Sequence, residues 1–231
     1  RDPNWKPAAY QKEQDPIRGV FAYVADGLLQ PGEEAPAHQP QLLPGQVKLK
    51  NINGDDKLNE EDMVLIGRND PKFIFGFNNN FSYKNFDLNI YMYGQVGKIA
   101  GANSYYDAWG SYGNRIKLGQ NVPVSFKDAW SSDNQTSTRP SFIESAYGTG
   151  DLFLQKISFL RIRNITLGYT VPISKSICNR LRVYADINNP CVWTNWKGQD
   201  PETDSNTNAY PNVTSFSIGV DISFLNKPKK N

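Results

Sequence analysis

Ser215-Phe216-Ser217-Ile218-Gly219-Val220-Asp221-Ile222-Ser223-Phe224 decides the fold. Every second residue is apolar, and those between are Ser, Gly or Asp. Side chains alternate across a β-strand, so one face of this segment is hydrocarbon and the other polar. The same period runs backwards through the chain. Leu181, Val183, Ala185 and Ile187 alternate with Arg182, Tyr184, Asp186 and Asn188, after a short turn from Pro172 to Asn179. Ile157 to Val171 alternates too, but its phase slips: Leu160 and Ile162 share one parity, while Ile165, Leu167, Tyr169 and Val171 take the other. An extra residue near Arg163-Asn164, a β-bulge, restores a single apolar face. Earlier still, Phe73, Phe75, Phe77, Phe81 and Tyr83 are followed, after Lys84-Asn85, by Phe86, Leu88, Ile90 and Met92. That spacing predicts a hairpin with a two-residue connection.

Five strands result, joined by connections that run short, long, short, long. The long ones are 97–153 and 189–212. Short turns at one end and long loops at the other are the habit of outer-membrane barrels, as is an apolar face opposed to a polar one. The competing reading is a secreted β-sandwich with a solvated outer face. Five strands cannot close a barrel, since ~8 is the practical minimum, so on the barrel reading the chain is part of something larger. Residues 1–72 read as irregular, with one short apolar run from Val20 to Leu29. A connection of that length is functional or an ordered excursion.

Composition agrees. Among 231 residues there are 24 Asn, 12 Tyr, 12 Phe, 18 Gly and 15 Pro, which suits strands joined by elaborate turns. The formal net charge of +2 excludes bulk electrostatic attraction to nucleic acid or anionic lipid. No stretch approaches the ~20 apolar residues of a transmembrane helix, and residues 1–30 lack the basic and apolar regions of a signal peptide. Cys178 and Cys191 flank an alternating strand, which holds them too far apart to bridge, so two free thiols are expected. The one histidine, His38, lies between prolines and reads as a loop residue.

Several segments resemble the C-terminal region of the SusC/RagA family, the TonB-dependent outer-membrane importers of Bacteroidota. They are Pro44-Gly45-Gln46-Val47-Lys48-Leu49-Lys50 with Asn51-Ile52-Asn53-Gly54-Asp55, Val64-Leu65-Ile66-Gly67, and Asp70-Pro71-Lys72-Phe73-Ile74-Phe75-Gly76-Phe77. Phe81 to Leu88, Phe159 to Tyr169, Arg182-Val183-Tyr184 and Trp193 to Glu202 continue the series in the family's order. The resemblance implies an all-β fold: about five C-terminal strands (73–224) of a large antiparallel transmembrane barrel with long extracellular loops. Residues 1–72 would then be an extracellular loop region, and 225–231 a tail beyond the terminal aromatic Phe224. The family's plug and TonB box lie upstream of the matched region. The resemblance further implies an outer-membrane location, import of an oligosaccharide or a peptide, a SusD-like lipoprotein partner, and energy through TonB.

Candidate sites are few. Asn51, Asn53, Asp55, Lys57 (through its carbonyl), Asn59 and Asp62 have the spacing of a calcium loop, in which a hard cation collects six or more oxygens. Asn51 stands where Asp is usual, and Asp56 where Gly supplies the sharp turn; Asp tolerates the required positive φ. The alternative is a solvated loop of Asx turns without metal. Tyr105, Tyr106, Trp109, Trp193 and Trp196 are candidates for stacking on substrate, against a role in membrane girdles or loop packing. Arg161, Arg163, Arg182 and Asp186 fall on the polar face and are expected to pair between strands. No nucleophile–His–acid set, P-loop or dinucleotide motif occurs, so no enzyme activity is expected. A soluble extracellular glycan-binding module and a glycan hydrolase are the competing functions.

Overall fold

The structure is a computed structural model, which describes residues 11–12, 15–16, 18–101, 118–119, 121, 124–142, 145–173, 178–198, 200–203 and 210–224. Its strands are β1 (Gly19–Ala22), β2 (Ala25–Leu28), β3 (Val47–Leu49), β4 (Val64–Arg68), β5 (Phe73–Tyr83), β6 (Phe86–Gly101), β7 (Leu154–Val171), β8 (Cys178–Thr194) and β9 (Ser215–Phe224). Short 3-10 turns at Glu60–Asp62 and Val124–Asp128 are the helical elements among the described residues. None is long and apolar enough to cross a membrane. The chain divides into two units that are discontinuous in sequence: 1–70 with 98–156 and 197–209, and 71–97 with 157–196 and 210–231.

The first unit is more regular than its sequence suggests. β1 pairs antiparallel with β4, and β2 with β3. Leu28, Val47 and Leu49 are buried, with Tyr23, Ala25, Leu58, Trp130 and Tyr147 packed on them. Gln39 is fully buried and stands in for a neighbouring strand: its Oε1 accepts from the Leu49 amide at 2.7 Å and its Nε2 donates to the Val47 carbonyl at 3.4 Å. A buried amide is stable only when so satisfied. His38 is indeed a loop residue, its Nε2 2.7 Å from the Leu49 carbonyl oxygen. The expectation of irregular structure through 72 is corrected here. Its strands are three to five residues long, too short for alternation to reveal them.

The second unit is one antiparallel sheet in the order β5-β6-β7-β8-β9. β5 and β6 pair without a slip from Phe73↔Val96 to Tyr83↔Phe86. The Lys84-Asn85 connection has Lys84 at φ 53°, the left-handed conformation such two-residue turns require. The bulge lies where it was expected, between Ile162↔Cys191 and Asn164↔Asn188. Its extra residue, however, is on the partner strand: Arg163 of β7 faces both Asn189 and Pro190 of β8. Asn189 takes φ 50°, and Pro190 brings no N–H that pairing would have to satisfy. β8 thus runs on to Thr194, and the fourth connection begins at 195 rather than 189; β6 likewise runs on to Gly101, past the start of 97 expected for the second. Cys178 and Cys191 sit at opposite ends of β8 as free thiols.

Register places one apolar row beside the next. Val171, Leu181 and Ile222 are neighbours, as are Tyr169, Val183 and Val220, then Leu167, Ala185 and Ile218, then Ile165, Ile187 and Phe216. These side chains are not covered. Phe216 is 78% exposed, Ile218 84%, Val220 55% and Ile222 50%.

Candidate functional site

Two surfaces carry functional information: the face of the sheet opposite the apolar rows, and the loop 51–62. On the polar face Arg182 of β8 reaches over β7 to β6. Its Nε donates to Asp87 Oδ1 at 2.9 Å and its Nη2 to Asp87 Oδ2 at 2.6 Å, while Nη1 donates to Asp221 Oδ2 on β9 at 3.0 Å. Planar guanidinium and carboxylate match in such paired bonds. Gly168 makes the crossing possible, since a Cβ there would overlap the guanidinium. The Tyr184 ring lies over Gly219 in the same way and receives the Arg182 guanidinium at 5.1 Å from its centroid.

Asp186 keeps its charge and is satisfied by neutral donors. Thr166 Oγ1 donates to its Oδ1 at 2.6 Å, Asn164 Nδ2 to the same oxygen at 2.5 Å, and Asn188 Nδ2 to its Oδ2 at 2.8 Å. The expectation of inter-strand ion pairs therefore holds for Arg182 but not for Asp186, whose partners are amides and a hydroxyl. Arg163 binds the amide oxygens of Asn189 (3.2 Å) and Asn212 (3.3 Å) and lies 5.7 Å from the Tyr93 centroid. Arg161 is buried. Towards β5 the face becomes uncharged, with Asn89 Nδ2 donating to Asn78 Oδ1 at 2.8 Å and to Asn80 Oδ1 at 2.6 Å.

The loop 51–62 closes on its own amides. Asn51 Oδ1 accepts from Gly54 N (2.6 Å), Asn53 Oδ1 from Asp55 N (3.1 Å), Asp55 Oδ1 from Lys57 N (3.0 Å) and Asn59 Oδ1 from Glu61 N (2.7 Å). Asp56 adopts φ 57°, supplying the turn for which a glycine is usual. Asp62 is fully buried and bonds three amides: Ile52 N (2.7 Å) and Asn53 N (3.4 Å) at Oδ1, and Asn59 N (3.0 Å) at Oδ2. Burial alone would raise its pKa, but these amides outweigh it and hold the carboxyl below its ordinary value. The set matches calcium in donor type, being oxygen throughout. It offers only two carboxylates, and both Asp62 oxygens already serve backbone amides. Among the described residues no cluster of three or more His, Cys, Asp or Glu has metal-binding proximity, so any cation here depends on amide and carbonyl oxygens.

Of the candidate aromatics, Tyr105, Tyr106 and Trp109 lie outside the described residues. Trp193 is on β8, opposite Leu160, not in a loop, and is 54% exposed. Trp196 is 6% exposed, so its ring faces are covered. The tail 225–231 also lies outside the described residues.

No family model matches the chain. It is 27% identical over 92% of its length to TonB-dependent receptor P3 of Formosa agariphila. It is 26% identical over 74% of its length to TonB-dependent receptor SusC of Bacteroides thetaiotaomicron. The fold matches the RagAB peptide transporter with a TM-score of 0.68, at 21% identity over 89% of the chain. In sequence the chain is similar to a stretch of SusC-type TonB-dependent receptors, and in fold to part of the RagAB transporter. It spans 23% of the P3 receptor and 17% of SusC. Its five-stranded antiparallel sheet matches part of that larger barrel fold.

Proposed function

We propose that the chain forms part of the wall of an outer-membrane, TonB-dependent importer of a bulky nutrient, an oligosaccharide or a peptide. The observation that carries this reading is the uncovered apolar face. Soluble monomers rarely expose contiguous apolar patches beyond a few hundred Å², whereas β9 alone presents Phe216, Ile218, Val220, Ile222 and Phe224. Aromatics bracket this face: Tyr83, Phe86, Tyr169 and Phe224 at one end, Phe73 and Trp193 at the other. Ten residue steps of β5, at ~3.3 Å each and tilted by roughly 40°, span about 25 Å, the height of a lipid-facing band.

In this reading the apolar rows face lipid and the polar network faces the lumen. The Lys84-Asn85 turn is periplasmic, and the connections after β6 and β8 are extracellular. A SusD-like lipoprotein covers the outer face, residues 1–72 and 97–153 contribute to its seat, and TonB engages the receptor upstream of this stretch. Calcium in the loop 51–62 would stiffen that seat by drawing Asn51, Asn53, Asp55, Asn59 and the Lys57 carbonyl together. A soluble glycan-binding module is the alternative, and the uncovered apolar rows weigh against it. Nitroxides at Ile218 and Ser217 of the intact receptor test the reading. Relaxation by lipid-soluble oxygen at Ile218 and by an aqueous chelate at Ser217 is the expected result. Aqueous access at both positions would exclude a membrane wall.

A further inference from the structure

We infer that Asn53 is a self-modifying position: the Gly54 nitrogen cyclises its carboxamide, and water then converts it to aspartate and isoaspartate. This is independent of the importer reading. Asn53-Gly54 is the one Asn-Gly pair in the sequence. Glycine in second place leaves the attacking nitrogen unshielded by a side chain and lets the backbone turn freely. Both residues are exposed, and a Cβ built on Gly54 would meet open space. Gly54 sits at φ 76°, so the chain already turns at the reacting pair. Asn53 Oδ1 accepts from Asp55 N at 3.1 Å, an Asx turn that folds the carboxamide back over the Asn53–Gly54 peptide bond. The electrophilic Cγ is thereby held on the side of the nucleophile.

The chemistry balances with water alone. Hydroxide takes the Gly54 amide proton, and the nitrogen lone pair forms a bond to Asn53 Cγ. The Cγ–Nδ2 bond breaks, and ammonia leaves with a proton from water, which restores the hydroxide. Water then opens the five-membered imide. Attack at Cγ gives aspartate in the normal chain, while attack at the backbone carbonyl routes the chain through Cβ as isoaspartate. One bond sets the rate: Gly54 N donates to Asn51 Oδ1 at 2.6 Å, so its proton is released only when that contact opens. The product changes the loop. Asn53 Nδ2 now donates to Glu61 Oε2 at 3.1 Å, and hydrolysis replaces this donor with a carboxylate oxygen. Two anions at that distance repel, so the contact across the loop is lost. Isoaspartate also lengthens the backbone by a methylene and dismantles the Asx turn on Asp55.

The test incubates the complete receptor in detergent, at mildly alkaline pH in water enriched in oxygen-18, beside a synthetic peptide covering 47–62. Peptide mapping by mass then follows each asparagine. Asn53 should gain the mass difference between an amide and an acid, with one heavy oxygen and with both aspartate and isoaspartate among the products. Its rate should lie within about tenfold of the free peptide's, because an exposed loop closed by Asx turns opens at little cost. Asn51→Ala releases the Gly54 amide and should raise the rate severalfold. Asn69 and Asn85, exposed but followed by Asp70 and Phe86, should stay intact. Hydrogen exchange across 51–62 should be faster in Asn53→Asp than in wild type. No mass gain at Asn53 once the free peptide has converted overturns the inference. So does aspartate without isoaspartate, the mark of direct hydrolysis, or equal conversion at Asn69 and Asn85. A rate lowered by Asn51→Ala overturns the geometry, and unchanged exchange in Asn53→Asp overturns the consequence drawn from Glu61.

Discussion

Arg182 and Asp87 stand two strands apart and are joined by two hydrogen bonds, 2.9 and 2.6 Å long, that pass over Gly168 of the intervening strand. Backbone pairing links only adjacent strands, so this bridge ties β6 to β8 independently of the ladder. Gly168→Ala should cost roughly 1–3 kcal/mol, because the new methyl must displace the guanidinium. Arg182→Ala should cost a similar amount, and the double variant should be no worse than the worse single. Urea titration of the receptor in liposomes measures this; strict additivity would show that Gly168 has no part in the bridge.

Ile218→Arg should destabilise the inserted receptor by ~2–4 kcal/mol if the position is near the bilayer midplane. Ser217→Arg, one residue away on the other face, should cost much less. Equal penalties in the same liposome titration would contradict the assignment of faces.

Asp62 makes the loop 51–62 sensitive to acid. Its folded pKa is depressed, so the stabilisation is present above the ordinary carboxylate value of ~3.9 and is lost as pH falls through the folded value. Hydrogen–deuterium exchange of a peptide covering 51–62, corrected for intrinsic rates, should rise below about pH 4 in wild type. In Asp62→Asn it should be raised already at neutral pH and should not change with acid.

Millimolar calcium should raise the thermal midpoint of the intact receptor and slow exchange in the same peptide. Asp55→Ala should abolish both effects, because it removes one of the two carboxylates. A wild type indifferent to calcium in both measurements would leave Asn51 to Asp62 as an Asx-turn loop.

A cysteine replacing Lys197, beyond β8, should react with an impermeant maleimide on whole cells, and one replacing Lys84 should not. The reverse pattern would invert the topology. Both positions are exposed, so access is decided by the membrane and not by burial.

The period-two segments made the large sheet legible, because ten or more alternating residues leave no helical alternative. The bulge was legible as a slip of phase at Ile162 and Ile165, but its owner was not. Asn188-Asn189-Pro190 reads locally as a strand end, and only cross-strand register reveals that β8 passes through it. The small strands β1 to β4 hide for a different reason: three to five residues cannot establish a period, and Gln39 completes the hydrogen bonding of β3 from outside the strands. The Asp87–Arg182–Asp221 bridge was half visible. Parity put all three residues on one face, yet nothing local says that Gly168 clears the path between them.

The two thiols at the ends of β8 give this wall a built-in ruler. Cys178 and Cys191 are thirteen steps apart on one strand, roughly 40 Å at ~3.3 Å per step, and both are half-buried rather than sealed. Labelled with a donor and acceptor or with paired spins, the unaltered sequence would report its own strand length within the bilayer. On the importer reading proposed above, stretching, tilting or local melting of the wall during transport would register as a change in that one distance.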